Sequence, residues 1–392
     1  ALIEPFNGRA QVFVMRISLL IAVVFLTTAN AAPESVAVPK WPEEQVRALR
    51  RWAVAAPLDA LPQPSTANLD KTVASQNQEE IDRAATELAL RLARMHLLGS
   101  ASVETRGTWH MPDVDEYYDL KSYLSFMLGK EDIDLFFSLL IPHHPDYSKL
   151  RAAYADEKDP ARRATLALNM ERWRWLPVDL GETFLIVNAA RFEVTYWQDG
   201  NMFGTWPVIV GKAKTPTPTF ATFVKGVTFN PWWTIPKSIV AESVGALVRR
   251  NPAEARRRGY VWGNGSYRQK PGPKNALGQM KLEMPNQFSI YLHDTPSKDL
   301  FLKDVRAFSH GCIRVGDALG FAHTLLRGSV TKDRIDAIVA GQETQTFALP
   351  KAIPVYVTYF TADVDKDGRV AILPDIYKRD AGAGAAPIRC AG

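Results

Sequence analysis

The sequence predicts an α+β fold: an N-terminal, mostly helical scaffold domain, then a predominantly antiparallel β domain. Three observations carry this. Between residues 80 and 173 apolar side chains recur at helical spacing. From Thr183 onward the spacing switches to two, the period of a half-buried strand. Turn signals separate these alternating runs, Asp199-Gly200 being the clearest. At 392 residues the chain has room for two domains of about 150 residues each.

Taken in order, Met15-Arg16, an apolar run over 17–26 and Thr27-Thr28-Ala29-Asn30-Ala31 form a signal-peptide pattern over 15–31. The apolar run is shorter than the roughly 20 residues a spanning helix needs. Cleavage after Ala31, export to the periplasm and no stable membrane span after cleavage are therefore expected. Residues 33–76 are rich in Pro and Ala and read as a linker, with a short helix over 43–55. The helical scaffold follows over 77–172. Ile81, Ala84, Ala85, Leu88, Leu92 and Met95 mark one helix face within 80–98. A second helix is expected over 117–128, with Asp115 as its cap and Gly129 as its stop. Further helices are expected over 132–140, after His144-Pro145-Asp146, and over 160–173.

The β domain spans 173–362, with strand-like runs at 183–188, 191–197, 203–210, 226–229, 288–293 and 355–361. Helical pieces intervene at 238–250 and 317–326. A C-terminal hairpin extension over 363–380 and a disordered tail over 381–392 complete the chain. Asp363-Val364-Asp365-Lys366-Asp367-Gly368 opens like a calcium loop, but its twelfth position is Pro374, where a bidentate Glu is needed. Asp367-Gly368 reads instead as a hairpin turn. The tryptophans at 173, 175, 206, 232 and 233 read as core and interdomain packing rather than a sugar platform.

Hydrophobic content of 46% and charged content of 23% are those of a globular protein. A net charge of +5, with no Lys/Arg run interleaved with aromatics, does not point to nucleic acid. The two cysteines, Cys312 and Cys390, lack zinc spacing, and a bridge between them would remove a thiol.

That thiol is the focus of Phe308-Ser309-His310-Gly311-Cys312-Ile313-Arg314-Val315. A thiol attacks as thiolate, and nearby cationic groups favour ionisation. Backbone N–H groups around Gly311 offer an oxyanion site in a tight, glycine-permitted turn. Read alone, the stretch is equally compatible with a small buried hydrophobe. His293 ends the run Phe288-Ser289-Ile290-Tyr291-Leu292-His293 and is placed to project into a cleft as general base. Either a backbone carbonyl or Asp294 would orient its second ring nitrogen.

His293 followed by Ser309-His310-Gly311-Cys312-Ile313-Arg314 resembles the signature of the L,D-transpeptidase (YkuD) catalytic domain. Trp173-Arg174-Trp175-Leu176-Pro177, Val210-Gly211-Lys212, Phe229-Asn230-Pro231-Trp232-Trp233, the stretch 271–278 and Tyr291-Leu292-His293-Asp294-Thr295-Pro296 extend it toward the large periplasmic YcbB-like branch. The resemblance covers about residues 145 to 380. One departure stands out: only residues 155–169 separate the helical region from Trp173, too few for that branch's peptidoglycan-binding insertion. Residues 233–272 occupy the family's lid position.

The resemblance implies roles residue by residue. Cys312 would be the nucleophile and His293 the base. Ser309, His310 and Gly311 would shape the turn and the oxyanion site, and Arg314 would bind a substrate carboxylate or stabilise thiolate. It implies peptidoglycan stem peptides as partners, a donor tetrapeptide and an acceptor stem, with no metal or cofactor. The reaction implied is 3→3 cross-linking through a cysteinyl thioester, with release of D-alanine. Alternatives are L,D-carboxypeptidase action, tethering of a lipoprotein, or a non-catalytic wall-binding scaffold. Papain-like proteolysis lacks its local cysteine signature here.

Overall fold

The computed structural model describes residues 38–107, 109–111, 115 and 118–381. The expected signal peptide at 15–31 and Cys390 lie outside the described residues.

The N-terminal half is helical: α1 (Glu43–Ala55), α2 (Ala67–Ser75), α3 (Gln78–Leu98), α4 (Leu120–Leu128), α5 (Ile133–Ser138), α6 (Pro145–Asp156) and α7 (Pro160–Trp173). Local sequence explains the boundaries. Asn77, Asp119, Asp132 and Asp159 each accept a backbone N–H at the start of a helix, and Pro145 and Pro160 sit where a missing N–H does no harm. Asp119, not Asp115, caps α4: the Ser122 N–H donates to Asp119 Oδ1 at 3.1 Å, while Asp115 accepts the Val178 N–H at 2.8 Å. Residues 41–76 are not a linker. Trp41, Val46, Leu49 and Leu69 are buried with Leu88, Leu92, Leu124 and Phe137 in one core. The composition misled because Ala is the strongest helix former and the prolines fall at helix ends.

The second half is a sheet wrapped into a ring. Its strands are β1 (Trp109–His110), β2 (Thr183–Asn188), β3 (Glu193–Gln198), β4 (Asn201–Gly211), β5 (Thr219–Phe229), β6 (Trp233–Thr234), β7 (Tyr260–Gly263), β8 (Ser266–Gln269), β9 (Met280–Glu283), β10 (Leu292–His293), β11 (Ala307–Ser309), β12 (Ile313–Val315) and β13 (Gln345–Thr358). The order β5-β13-β2-β3-β4-β12-β10-β9 closes because β9 pairs back onto β5. β6, β8 and β7 form a separate small sheet in the lid region. The short hairpin of β14 (Ala362–Val364) and β15 (Val370–Ile372) follows. Asp199 and Gly200 both have positive φ, as a two-residue turn between β3 and β4 requires.

Most ladders are antiparallel, but the sheet is mixed. β2–β13 and β10–β12 are parallel, each joined through a long excursion rather than a hairpin. Alternate side chains such as Leu185, Val194, Val208, Leu282, Leu292 and Ile313 bury one face of the ring. Phe321 and Ile335, from α8 (Ala318–Leu325) and α9 (Lys332–Gly341), join that core. On the other face, Phe184, Ile186 and Trp197 pack against Tyr147, Leu150 and Trp173 of α6 and α7, which fastens the helical half to the ring. No helix among the described residues is long and apolar enough to cross a membrane.

Candidate active site

The parallel pair β10–β12 sets Leu292 beside Ile313 and His293 beside Arg314. Leu292 and Ile313 point into the core. Alternation therefore puts Tyr291, His293, Cys312 and Arg314 on the outer face, with Lys281 opposite His293 on β9. One residue of slip would bury all of them.

Hydrogen bonds to the Ser309 carbonyl, the Gly311 N–H and carbonyl and the Cys312 carbonyl hold the Ser309–Cys312 turn. Ser309 is buried, and its hydroxyl bridges the turn: it donates to the Cys312 carbonyl at 2.6 Å and accepts the Gly311 N–H at 3.0 Å. The Ser309 carbonyl accepts the Lys212 N–H at 2.9 Å and the Thr215 hydroxyl at 3.3 Å. The Gly311 carbonyl accepts the Thr217 hydroxyl at 2.8 Å, and the Ile313 N–H donates to the Tyr291 carbonyl at 3.1 Å. Gly311 has φ +117, a conformation that favours glycine, and a Cβ there would meet Ile290 Cδ1 at 3.1 Å. The Gly311 N–H is thus already engaged. Among the described residues, the Cys312 N–H has no hydrogen-bond partner. The open N–H of this turn is therefore that of Cys312 rather than Gly311, and Ser309 is buried within the turn.

Cys312 is half-buried, with Sγ 3.9 Å from the Ser289 carbonyl. Burial pushes its thiol up, opposed by hydrogen bonds from Tyr291 and by the charges of Arg314 and Lys281. His293 is buried, and its imidazole is pushed down to about 3 by burial and by the Arg314 guanidinium. At neutral pH the site therefore holds a neutral thiol and a neutral imidazole, not an ion pair. His293 Nδ1 is hydrogen-bonded to the Asp294 main-chain carbonyl. That carbonyl, not the Asp294 carboxylate, is the orienting group. The carboxylate turns away to the Lys298 ammonium and the Gln279 N–H, in a space left by Gly278. His293 and Cys312 are diagonal neighbours on one face and are not hydrogen-bonded to each other.

His310 faces outward. Its Nε2 lies 2.8 Å from Glu242 and 3.3 Å from Lys212 Nζ, joining the turn to the lid. The lid comprises β6–β8 and helical turns at 237–257, around a small cluster of Trp233, Ile235, Val244 and Leu277. Arg257 and Arg258 pair with Glu254 and are not aimed at the site. Arg314 makes no hydrogen bond or ion pair with any described side chain, leaving its guanidinium open to an anion.

Sequence reasoning missed Tyr291 as a site residue. Burial and the neighbouring Cys312 push its hydroxyl well above the ordinary tyrosine value, and its ring meets His293 edge-on at 5.7 Å. Period-two placement two residues before His293 was the available signal. Lys281, 5.2 Å over the Tyr291 ring and 3.1 Å from Glu283, was also missed.

Residues 182–339 match the YkuD family model, the L,D-transpeptidase catalytic domain. The β-rich half is thus similar to L,D-transpeptidase catalytic domains. A Haemophilus influenzae protein provisionally named an L,D-transpeptidase is 29% identical over 236 residues, covering 55% of this chain and 48% of that one. The chain thus spans about half the length of that relative. Among solved structures, an L,D-transpeptidase from Mycobacterium smegmatis is similar at 13% identity and TM-score 0.25, covering 45% of this chain and 58% of that one. L,D-transpeptidase 3 from Mycobacterium tuberculosis is similar at 16% identity and TM-score 0.25, covering 45% and 61%. These structural likenesses are slight.

A polar cavity of about 270 Å³ lies away from this centre, between α6 and the outer face of β2–β3. Asp146, Lys149, Arg191 and Glu193 line it with Trp173 and Trp197, and it shares no lining residue with the Cys312 site.

Proposed function

We propose that the protein is an exported peptidoglycan L,D-transpeptidase that forms 3→3 cross-links. The supporting observation is the Cys312 turn: a thiol on a fixed backbone, beside an open N–H, a neutral imidazole one strand away and an unpaired guanidinium. In this reading Cys312 Sγ attacks the carbonyl of the third stem residue while His293 takes the thiol proton. The Cys312 N–H receives the oxyanion. Collapse breaks the amide bond, His293 returns its proton to the amine, and D-alanine leaves. The side-chain amine of a second stem then attacks the thioester, its proton passing to His293, and the thiol is restored. Arg314 and Lys281 supply positive charge for a stem carboxylate. Transfer to an amine rather than water is favoured by the small lid cluster, against which Tyr291 packs beside Trp233.

The test is incubation with disaccharide-tetrapeptide and mass analysis of products. A dimer short of one D-alanine is expected. Tripeptide alone would make the protein a carboxypeptidase. No turnover, together with no imipenem adduct on Cys312, would leave a non-catalytic scaffold.

A further inference from the structure

We infer that Thr217 is a positioning residue for the oxyanion donor, held in place by Tyr377 of the C-terminal segment. The inference rests on the acyl-transfer reading above and adds residues that lie outside its reactive set. Tyr377 lies beyond the matched residues 182–339.

The argument starts at one peptide unit. The described chain contains no cis peptide bond, so the Gly311–Cys312 unit is trans and planar, with its C=O and N–H pointing opposite ways. Whatever fixes the Gly311 carbonyl therefore aims the Cys312 N–H. That carbonyl accepts the Thr217 hydroxyl at 2.8 Å, and Thr217 is fully buried. The hydroxyl has a single proton, donated to Gly311, so it is an acceptor toward the Gly211 N–H at 2.9 Å. Both of its bonding directions are fixed.

The loop carrying Thr217 is held from the far end of the chain. The Tyr377 hydroxyl donates to the Gly211 carbonyl at 2.5 Å and accepts the Thr217 N–H at 3.4 Å. Arg379 Nη2 donates to the Thr217 carbonyl at 3.0 Å. Tyr377 is itself stacked on Tyr359 at 5.2 Å, and its N–H donates to the Tyr359 hydroxyl at 2.9 Å. Tyr359 in turn donates to Asp375 at 2.6 Å, while Arg172 of α7 pairs with Asp380 at 2.9 Å. The path runs from the helical half through the C-terminal segment to Thr217, then to the peptide that presents the nucleophile. Gly211 has no room for a side chain: a Cβ there would lie 2.1 Å from the Thr215 carbonyl oxygen.

Two rates on the full chain test this. Acylation of Cys312 by imipenem passes through an oxyanion, whereas alkylation by iodoacetamide does not. Thr217→Val keeps the shape and removes the hydroxyl. It should slow acylation about 10²-fold, as a mispositioned reacting group does, with alkylation unchanged. Thr217→Ser should restore acylation. Tyr377→Phe, which keeps the ring stack, should slow acylation by a smaller factor, again without changing alkylation. With tetrapeptide substrate, the loss should fall on kcat rather than KM. The inference is overturned if Thr217→Val acylates like wild type, if both rates fall together, or if Thr217→Ser fails to rescue. A wild-type chain that alkylates but never acylates would instead overturn the underlying acyl-transfer reading.

Discussion

The turn that carries Cys312 and the lid that reaches over it are held by opposite means. In the turn, buried one-to-one hydrogen bonds fix the backbone: Ser309 is 2% exposed and Thr217 0%. In the lid, Glu242 pairs with His310 and Lys212 through exposed side chains, and within 252–258 the exposed Arg257 and Arg258 pair with Glu254. Its helix contains a π turn at Val240–Val244, a weak point in the hydrogen-bond ladder. Buried bonds are costly to break, while exposed pairs are screened and easily exchanged. The molecule is tightly braced at the turn and loosely held at the lid.

The largest effect that would break this comparison lies at the base. His293→Asn should slow acylation by imipenem about 10²–10⁴-fold, the ordinary contribution of general acid–base catalysis, measured as adduct formation by intact mass. Alkylation by iodoacetamide should persist. Next comes Ser309→Ala, which leaves the buried Gly311 N–H and Cys312 carbonyl without the bridging hydroxyl. It should cost about 1–3 kcal/mol in urea denaturation and slow acylation about 10²-fold.

Protonation sharpens the picture. Burial raises the Cys312 thiol above its ordinary value of 9.0, so its alkylation rate should still be climbing as pH passes 9. A plateau between pH 6 and 7 would indicate a thiolate–imidazolium pair instead. Folding stability should also fall on acidification from 6.5 towards 4. His96, His144 and His293 are held down at about 4, 3 and 3, so the unfolded chain binds protons there that the folded one refuses. Asp146, pushed up to about 7, opposes this by one proton, leaving the histidines dominant. Denaturant midpoints across this range check the sign.

The smallest effect belongs to the lid. Glu242→Gln should leave the thermal midpoint unchanged and alter imipenem acylation only a few-fold. The difference from wild type should vanish at high salt. A large loss of stability would show that the lid is braced as firmly as the turn.

What could be read from the sequence divides along the same line. Local signals located the helices that begin near 132 and 160, the Asp199-Gly200 turn and His293 at the end of its strand, though the cap of α4 is Asp119 rather than Asp115. The bonds that hold the turn come from residues far apart in the chain. Thr217 lies 94 positions from Gly311, and Tyr377 lies 166 from Gly211. Nothing in their composition announces the contact. The expected strand over 288–293 shrinks to Leu292–His293. Ser289 adopts φ +53, and the Asn286 side chain takes the N–H groups of Phe288 and Ile290 that a strand would have used. Residues 41–76 were misread for the converse reason: their packing is tertiary, and Pro- and Ala-rich composition alone cannot report it.

The most direct test is to quench the protein with disaccharide-tetrapeptide and map the peptide that carries the acyl group. The account predicts a thioester-linked disaccharide-tripeptide on Cys312, with D-alanine lost, accumulating when the acceptor stem is withheld. It predicts none in Cys312→Ala. An acyl group on any other residue, or D-alanine release that survives in Cys312→Ala, would contradict it.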